Sequence, residues 1–167
     1  RLLLDKPVEP DLHRYPIKMN QDIPCNVDFF EWSSKMSVGV PFLDQDHKLL
    51  LNLIQQYIDQ IDNNVAKVKR EIFYKIIEET KVHFVREEAV MVACKYPCVE
   101  NHMQVHRMIL RELLKRKQDM TESEMDVDAS INFLKIWLIE HISGMDKAFE
   151  KYCVNKDDII KIALKNI

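Results

Sequence analysis

From Pro41 onward, apolar residues recur at steps of three and four, the period that lines up one stripe along one face of an α-helix. Four windows carry this pattern. Leu43, His47, Leu50, Ile54, Ile58 and Ile61 form the first, which ends at the polar Asp62, Asn63 and Asn64. Ile72, Ile76, Thr80, His83, Glu87, Met91 and Cys94 form the second, closed by Pro97. Val99, His102, His106, Ile109 and Leu113 form the third, which runs to a polar stretch at 118–126. Ile131, Leu134, Leu138, His141, Met145, Phe149 and Tyr152 form the fourth. Helices of about 20 residues span about 30 Å, and short turns between them make successive neighbours antiparallel. The expected fold is therefore all-α, an up-down-up-down antiparallel four-helix bundle. With only two glycines in 167 residues, the chain lacks the sharp-turn residues of an all-β alternative.

The length suits one domain with a substantial core. Residues 1–40 read as an N-terminal arm, because three prolines in the first 18 residues break any regular element. Starting at Arg1, the arm reads as a linker from a longer polypeptide or as a segment ahead of an internal start at Met19. The bundle is assigned to 41–153 and a short helical tail, laid against its outside, to 154–167. Lys and Arg total 24 against 27 Asp and Glu, so no basic field points to nucleic acid or an anionic membrane surface. No apolar run approaches the roughly 20 residues that cross a bilayer. Cys25, Cys94, Cys98 and Cys153 make no dense disulfide framework, and a reducing cytoplasm is the expected compartment.

The informative residues are the polar ones inside the stripes. His47, His83, Glu87, His102, His106 and His141 all occupy positions that the period turns toward the bundle interior. Burying imidazoles and a carboxylate costs several kcal/mol unless each finds a partner. A single buried histidine is ordinarily satisfied by a neighbour, but five on four helices exceed what an apolar core can pair. A metal centre satisfies them together, since neutral imidazole and carboxylate suit iron and its neighbours. His83/Glu87 and His102/His106 are i, i+4 pairs, stacked on one helix face about 6 Å apart along the axis. His141 and Asp146 are five apart, roughly 140° around an ideal α-helix, so spacing alone does not pair them.

The segments FFEWSSKMSVGVPFLDQDHKLL, HFVREEAVMVACKYPCVENHMQVH and IWLIEHISGMDKAF resemble the hemerythrins, in particular their bacterial branch, over about residues 29–152. All seven ligand positions of that family are filled with the expected residue types. The resemblance implies two iron ions joined by an oxo or hydroxo bridge. His102, His106 and His141 would hold one, His47 and His83 the other, and Glu87 and Asp146 would bridge them. These bonds fill all but one of the roughly twelve positions on two octahedral ions. The open position falls on the iron with two histidines, and in the family it receives O2. Leu50, Phe84, Trp137 and Ile142 are placed to wall that position and resemble the family's oxygen pocket. Ser143 and Gly144, small and polar, are expected to leave a gap in the wall that admits water and speeds autoxidation.

Other constellations carry less. Cys94, Cys98, His102 and His106 repeat every four residues, yet on one helix they stretch over about 18 Å and cannot surround one zinc ion. Cys25 and Cys153 read as inert thiols, and Met91, Met103, Met108 and Met145 as packing residues. Asp44 is expected either to accept a hydrogen bond from His47 or to cap its helix. His13 reads as exposed, and LRELLKRKQDM as a solvated helix face. The leading function is reversible O2 binding for storage, delivery or buffering. A second reading uses the same site to sense O2 or redox state for a fused or associated output domain, such as a cyclase or chemotaxis module. A third is a di-iron enzyme acting on O2, peroxide or NO. Oxygen-activating di-iron bundles use carboxylate-rich sites with two Glu-x-x-His pairs, whereas five histidines and two carboxylates favour binding over catalysis.

Overall fold

Each periodic window is helical over its described residues in the computed structural model, which describes residues 32–60, 66–122 and 127–167. These helices are α1 (Pro41–Asp59), α2 (Ala66–Ala93), α3 (Val99–Glu122) and α4 (Val127–Glu140), and the described residues contain no strand. The arm over 1–31, with His13, Met19 and Cys25, lies outside the described residues, as do Ile61 and the turn at Asp62, Asn63 and Asn64. α1 packs on α2 and α4, and α2 packs on α3.

Local chemistry sets the helix ends. Pro41 opens α1, where its fixed φ suits the first turn and its missing N–H costs nothing. Val40 makes no side-chain cap, and Asp44 in the first turn faces the preceding segment instead. Its carboxylate accepts hydrogen bonds from the Val38 N–H at 2.9 Å and the Ser37 hydroxyl at 2.6 Å. Asp44 thus neither bonds His47 nor stands at the cap position, both of which the sequence had suggested. It fastens the segment before α1, and Val38 and Val40 of that segment are buried.

α2 ends in a Schellman motif. The Tyr96 N–H donates to the Met91 carbonyl (3.0 Å) and the Lys95 N–H to that of Val92 (3.1 Å), with Lys95 left-handed at φ 57°. Lys156 adds a bond to the exposed end, its Nζ lying 2.7 Å from the Cys94 carbonyl. α3 continues to Glu122, several residues into the expected polar stretch. Arg116 is also not solvated as expected. It is buried, with its guanidinium over the Phe133 ring and Nη1 3.3 Å from the Ser130 hydroxyl.

The fourth window is not one continuous α-helix. After Glu140 the backbone widens into a π-helical turn, His141–Asp146, before α5 (Lys147–Cys153) resumes the α period. A further helix, α6 (Asp157–Lys165), lies against α2 and buries Ile160. This matches the short outer helix expected in the tail.

Apolar side chains gather in two clusters. One includes Leu50, Ile54, Tyr57, Phe73, Phe84, Leu113, Leu134, Trp137 and Ile142. The other joins Val38, Val40, Leu43, Val90, Met91 and Phe149. Of the methionines read as packing residues, Met91 fits, whereas Met108 is exposed. On α1, α2 and the π turn with α5, the two clusters flank the positions of the expected polar groups. Each fully buried Leu, Ile or Phe contributes about 1.5–3 kcal/mol, and together they offset the cost of a dry polar layer between the clusters.

Candidate metal centre

α1, α2, α3 and the π turn that follows α4 all contribute to that layer. His47 comes from α1, His83 and Glu87 from α2, His102 and His106 from α3, and His141 and Asp146 from the π turn. All seven side chains are essentially inaccessible to solvent. The i, i+4 pairs on α2 and α3 stack as the α period requires. The π turn explains the pair that an α-helix could not make. Its hydrogen bonds run from i to i+5, so residue i+5 falls beneath residue i, and the His141 Nε2 lies 3.1 Å from the Asp146 Oδ1.

All five imidazoles point Nε2 inward. His47 and His83 approach each other at 3.2 Å, His102 and His141 at 3.3 Å, and His106 and His141 at 3.1 Å. Glu87 Oε2 is 3.0 Å from His106 Nε2 and between 3.6 and 3.8 Å from those of His102, His141 and His83. Asp146 turns its two oxygens different ways, Oδ2 to His47 at 3.2 Å and Oδ1 to His102 at 3.2 Å as well as His141. Two overlapping groups of donor atoms result, each within 4.8 Å: Glu87 with His102, His106 and His141, and His47 and His83 with Glu87 and Asp146. Each could hold a metal ion, and neither includes a cysteine.

Electrostatics in the layer oppose one another. Burial drives the Glu87 carboxyl toward its neutral form, but the surrounding histidines overcome this and hold it well below its usual range. Asp146 likewise falls to about 2 despite burial and the neighbouring Glu87 charge, through His141, His102 and His47. Burial lowers His141 to about 4. Burial also disfavours charge on His106 and His47, yet Glu87 and Glu88 raise His106 to about 9, and Asp146 raises His47. Five Nε2 atoms converging on two carboxylates cannot all be satisfied by protons, because each ring nitrogen either donates or accepts. A cation accepting all their lone pairs removes the conflict.

Rings of the surrounding core press on the layer. Phe84 stacks on His106 with centroids 3.7 Å apart and planes 6° apart, and lies 5.6 Å from His141. Trp137 meets His141 edge-on at 6.1 Å. Leu50 and Ile142 are fully buried in the same cluster. Ser143 and Gly144 stand apart from these buried residues. Both are exposed, and a Cβ on Gly144 would meet nothing within 4 Å, because the π turn carries them to its outer side.

Several contributors escaped the periodicity. Trp32, ahead of α1, lies 6.4 Å from the His47 ring, and Tyr96, in the α2–α3 turn, lies 6.4 Å from that of His102. Glu88 Oε1 is 2.8 Å from His106 Nδ1, and Asp46 Oδ2 is 3.5 Å from His83 Nδ1. Asp46 and Glu88 each adjoin a residue of the polar layer in sequence, but their partners lie on other helices, so spacing gave no sign of these contacts.

Residues 38–153 match the family described as the hemerythrin HHE cation binding domain. The chain is 25% identical over 119 residues to a bacteriohemerythrin of Stenotrophomonas maltophilia, covering 71% of this chain and 77% of that protein. It is 26% identical to a hemerythrin-like protein of Naegleria gruberi, covering 72% and 91%. Against myohemerythrin-1 of Phascolopsis gouldii it is 29% identical over 125 residues, covering 75% and 92%. With the family match spanning most of its length and a helical bundle enclosing the polar layer, the chain belongs to the hemerythrin family.

Proposed function

We propose that this protein binds O2 reversibly at a non-heme di-iron centre, for storage, delivery or buffering. The observation that carries the reading is the pair of overlapping donor groups that share Glu87 inside a dry core. On this reading His102, His106 and His141 would hold one iron and His47 and His83 the other, with Glu87 and Asp146 shared between the two. Imidazole and carboxylate together suit iron. When bound, the iron pair would supply reversible electron donation to O2.

The chain's own residues do the rest. Glu87 and Asp146, held ionised by the surrounding histidines, bring negative charge to offset two cations where water cannot. Leu50, Phe84, Trp137 and Ile142 form the apolar wall of the O2 pocket and exclude the water and protons that would release a reduced oxygen species. Phe84, stacked on His106, also fixes the orientation of that ring. Five nitrogen donors against two carboxylates favour binding over the oxygen activation of carboxylate-rich bundles. Among the described residues no helix is long and apolar enough to cross a membrane.

Anaerobic titration of the metal-free protein with Fe(II), followed by desalting and metal analysis, tests the reading. Two irons per chain are expected, falling to one or none on His102→Ala or Glu87→Ala. A wild-type chain that retains one iron or none refutes it.

A further inference from the structure

The five inward-facing rings differ in what stands behind them. Among the described residues the Nδ1 atoms of His47, His83, His102 and His141 make no hydrogen bond, but behind His83 stands a carboxylate. Those of His83 and His106 each face a carboxylate arriving from nearer the surface. Glu88 Oε1 meets His106 at 2.8 Å. Asp46 Oδ2 lies 3.5 Å from His83 Nδ1, longer than a good N–H···O bond. Both of these atoms are sealed from solvent and neither has a closer partner among the described residues, so meeting each other is how either offsets its desolvation. Arg86 fixes the carboxylate in this orientation. Its Nη1 lies 2.8 Å from Asp46 Oδ1, and its guanidinium rests over the Phe42 ring at 4.7 Å.

The two rings backed by a carboxylate fall in different donor groups, His83 with His47, Glu87 and Asp146, and His106 with Glu87, His102 and His141. We infer that Asp46, held by Arg86, is the positioning residue of the two-histidine metal position, and that Glu88 does the same for the three-histidine position. A carboxylate at Nδ1 keeps the proton there, orients the ring and leaves the Nε2 lone pair free for a metal. The two-histidine position has fewer imidazoles, and only one of them is backed by a carboxylate. It is therefore the position more sensitive to loss of its carboxylate.

This inference rests on the di-metal reading, and its test separates the two. Metal-free protein is titrated with Co(II) in competition with a chromophoric chelator, which resolves the two binding steps. Asp46→Leu is expected to weaken one step by roughly 10–100-fold and leave the other unchanged. Asp46→Asn keeps an acceptor oxygen and recovers most of the loss, and Glu88→Leu weakens the other step. In parallel, long-range proton–nitrogen NMR of the metal-free protein reads the His83 tautomer. The proton is expected on Nδ1 in the wild type and in Asp46→Asn, and distributed over both nitrogens in Asp46→Leu. An Nε2-protonated His83 in the wild type, or an Asp46→Leu variant with both Co(II) steps unchanged or equally weakened, overturns the inference. A wild-type chain that binds no Co(II) refutes the di-metal reading instead, and the NMR result still decides whether Asp46 positions His83.

Discussion

Replacing Phe84 with alanine removes the ring that joins the apolar core to the polar layer. Phe84 is 2% exposed, lies on His106 at 3.7 Å, and has His141 at 5.6 Å, His83 at 5.8 Å and Trp137 at 6.1 Å. Truncating a buried Phe costs about 3–5 kcal/mol in lost transfer energy and residual cavity. Loss of the parallel stack adds about 0.5–1 kcal/mol. The expected loss is about 3.5–6 kcal/mol, a fall of about 7–24 °C in Tm for a chain of this size. Urea denaturation of the metal-free protein, followed by far-UV circular dichroism, measures it without a contribution from metal binding. Phe84→Leu, which keeps most of the volume, should lose about 1–2 kcal/mol. Val85→Ala, at a neighbouring position that is 51% exposed, should stay within about 0.5 kcal/mol. A Phe84→Ala variant within about 1 kcal/mol of wild type would refute the claim that this ring is close-packed against His106. In the iron-loaded protein the same substitution should hasten decay of the oxygenated form, because water reaches the vacated space.

The metal-free protein should be most stable near pH 6.5 and less stable on either side. His106, raised to about 9, and His47, also raised, stabilise the fold below their ordinary value, and that contribution is lost as pH climbs toward 9. His141, lowered to about 4, resists protonation, so stability falls from pH 6.5 toward 4, and protonation of Asp146 and Glu87 extends the loss below that. A thermal midpoint that does not vary between pH 4 and 9 contradicts this balance. Ser143→Leu should leave decay of the oxygenated form unchanged, since Ser143 points away from the site, and a slower decay measured by visible absorbance would restore the gap to the wall. Lys147 donates to the Ser37 carbonyl at 2.6 Å, so Lys147→Met should loosen the segment ahead of α1 and speed amide exchange at Val38. Unchanged exchange there would mean that the Asp44 bonds suffice alone.

The sequence made the helices and the inward placement of six of the seven layer residues legible because both follow from one period. Leu43, His47 and Leu50 obey the same steps of three and four, and so do Ile76, His83 and Glu87. Asp146 does not, since the π turn that brings it under His141 depends on a widened backbone that carries no mark in apolar spacing. Its pairing came from family resemblance. Asp44 shows a different limit: a carboxylate one turn before a histidine has several satisfactory partners, and the nearest unsatisfied donor, the Val38 N–H, took it. Arg116 sits in a charged run that looks solvated until Phe133 and Ser130 arrive from α4 to cover it. Asp46 and Glu88 act across helices, where linear spacing carries no information.

The central claim is that a buried, nitrogen-rich pair of sites binds O2 and releases it unchanged. The direct measurement is optical: protein loaded with two Fe(II) under anaerobic conditions is exposed to O2, purged with argon and exposed again. A visible charge-transfer band should appear with oxygen, vanish on purging and return at near-full amplitude through repeated cycles. A band that never forms, or one that bleaches on first exposure and does not return, would contradict the account.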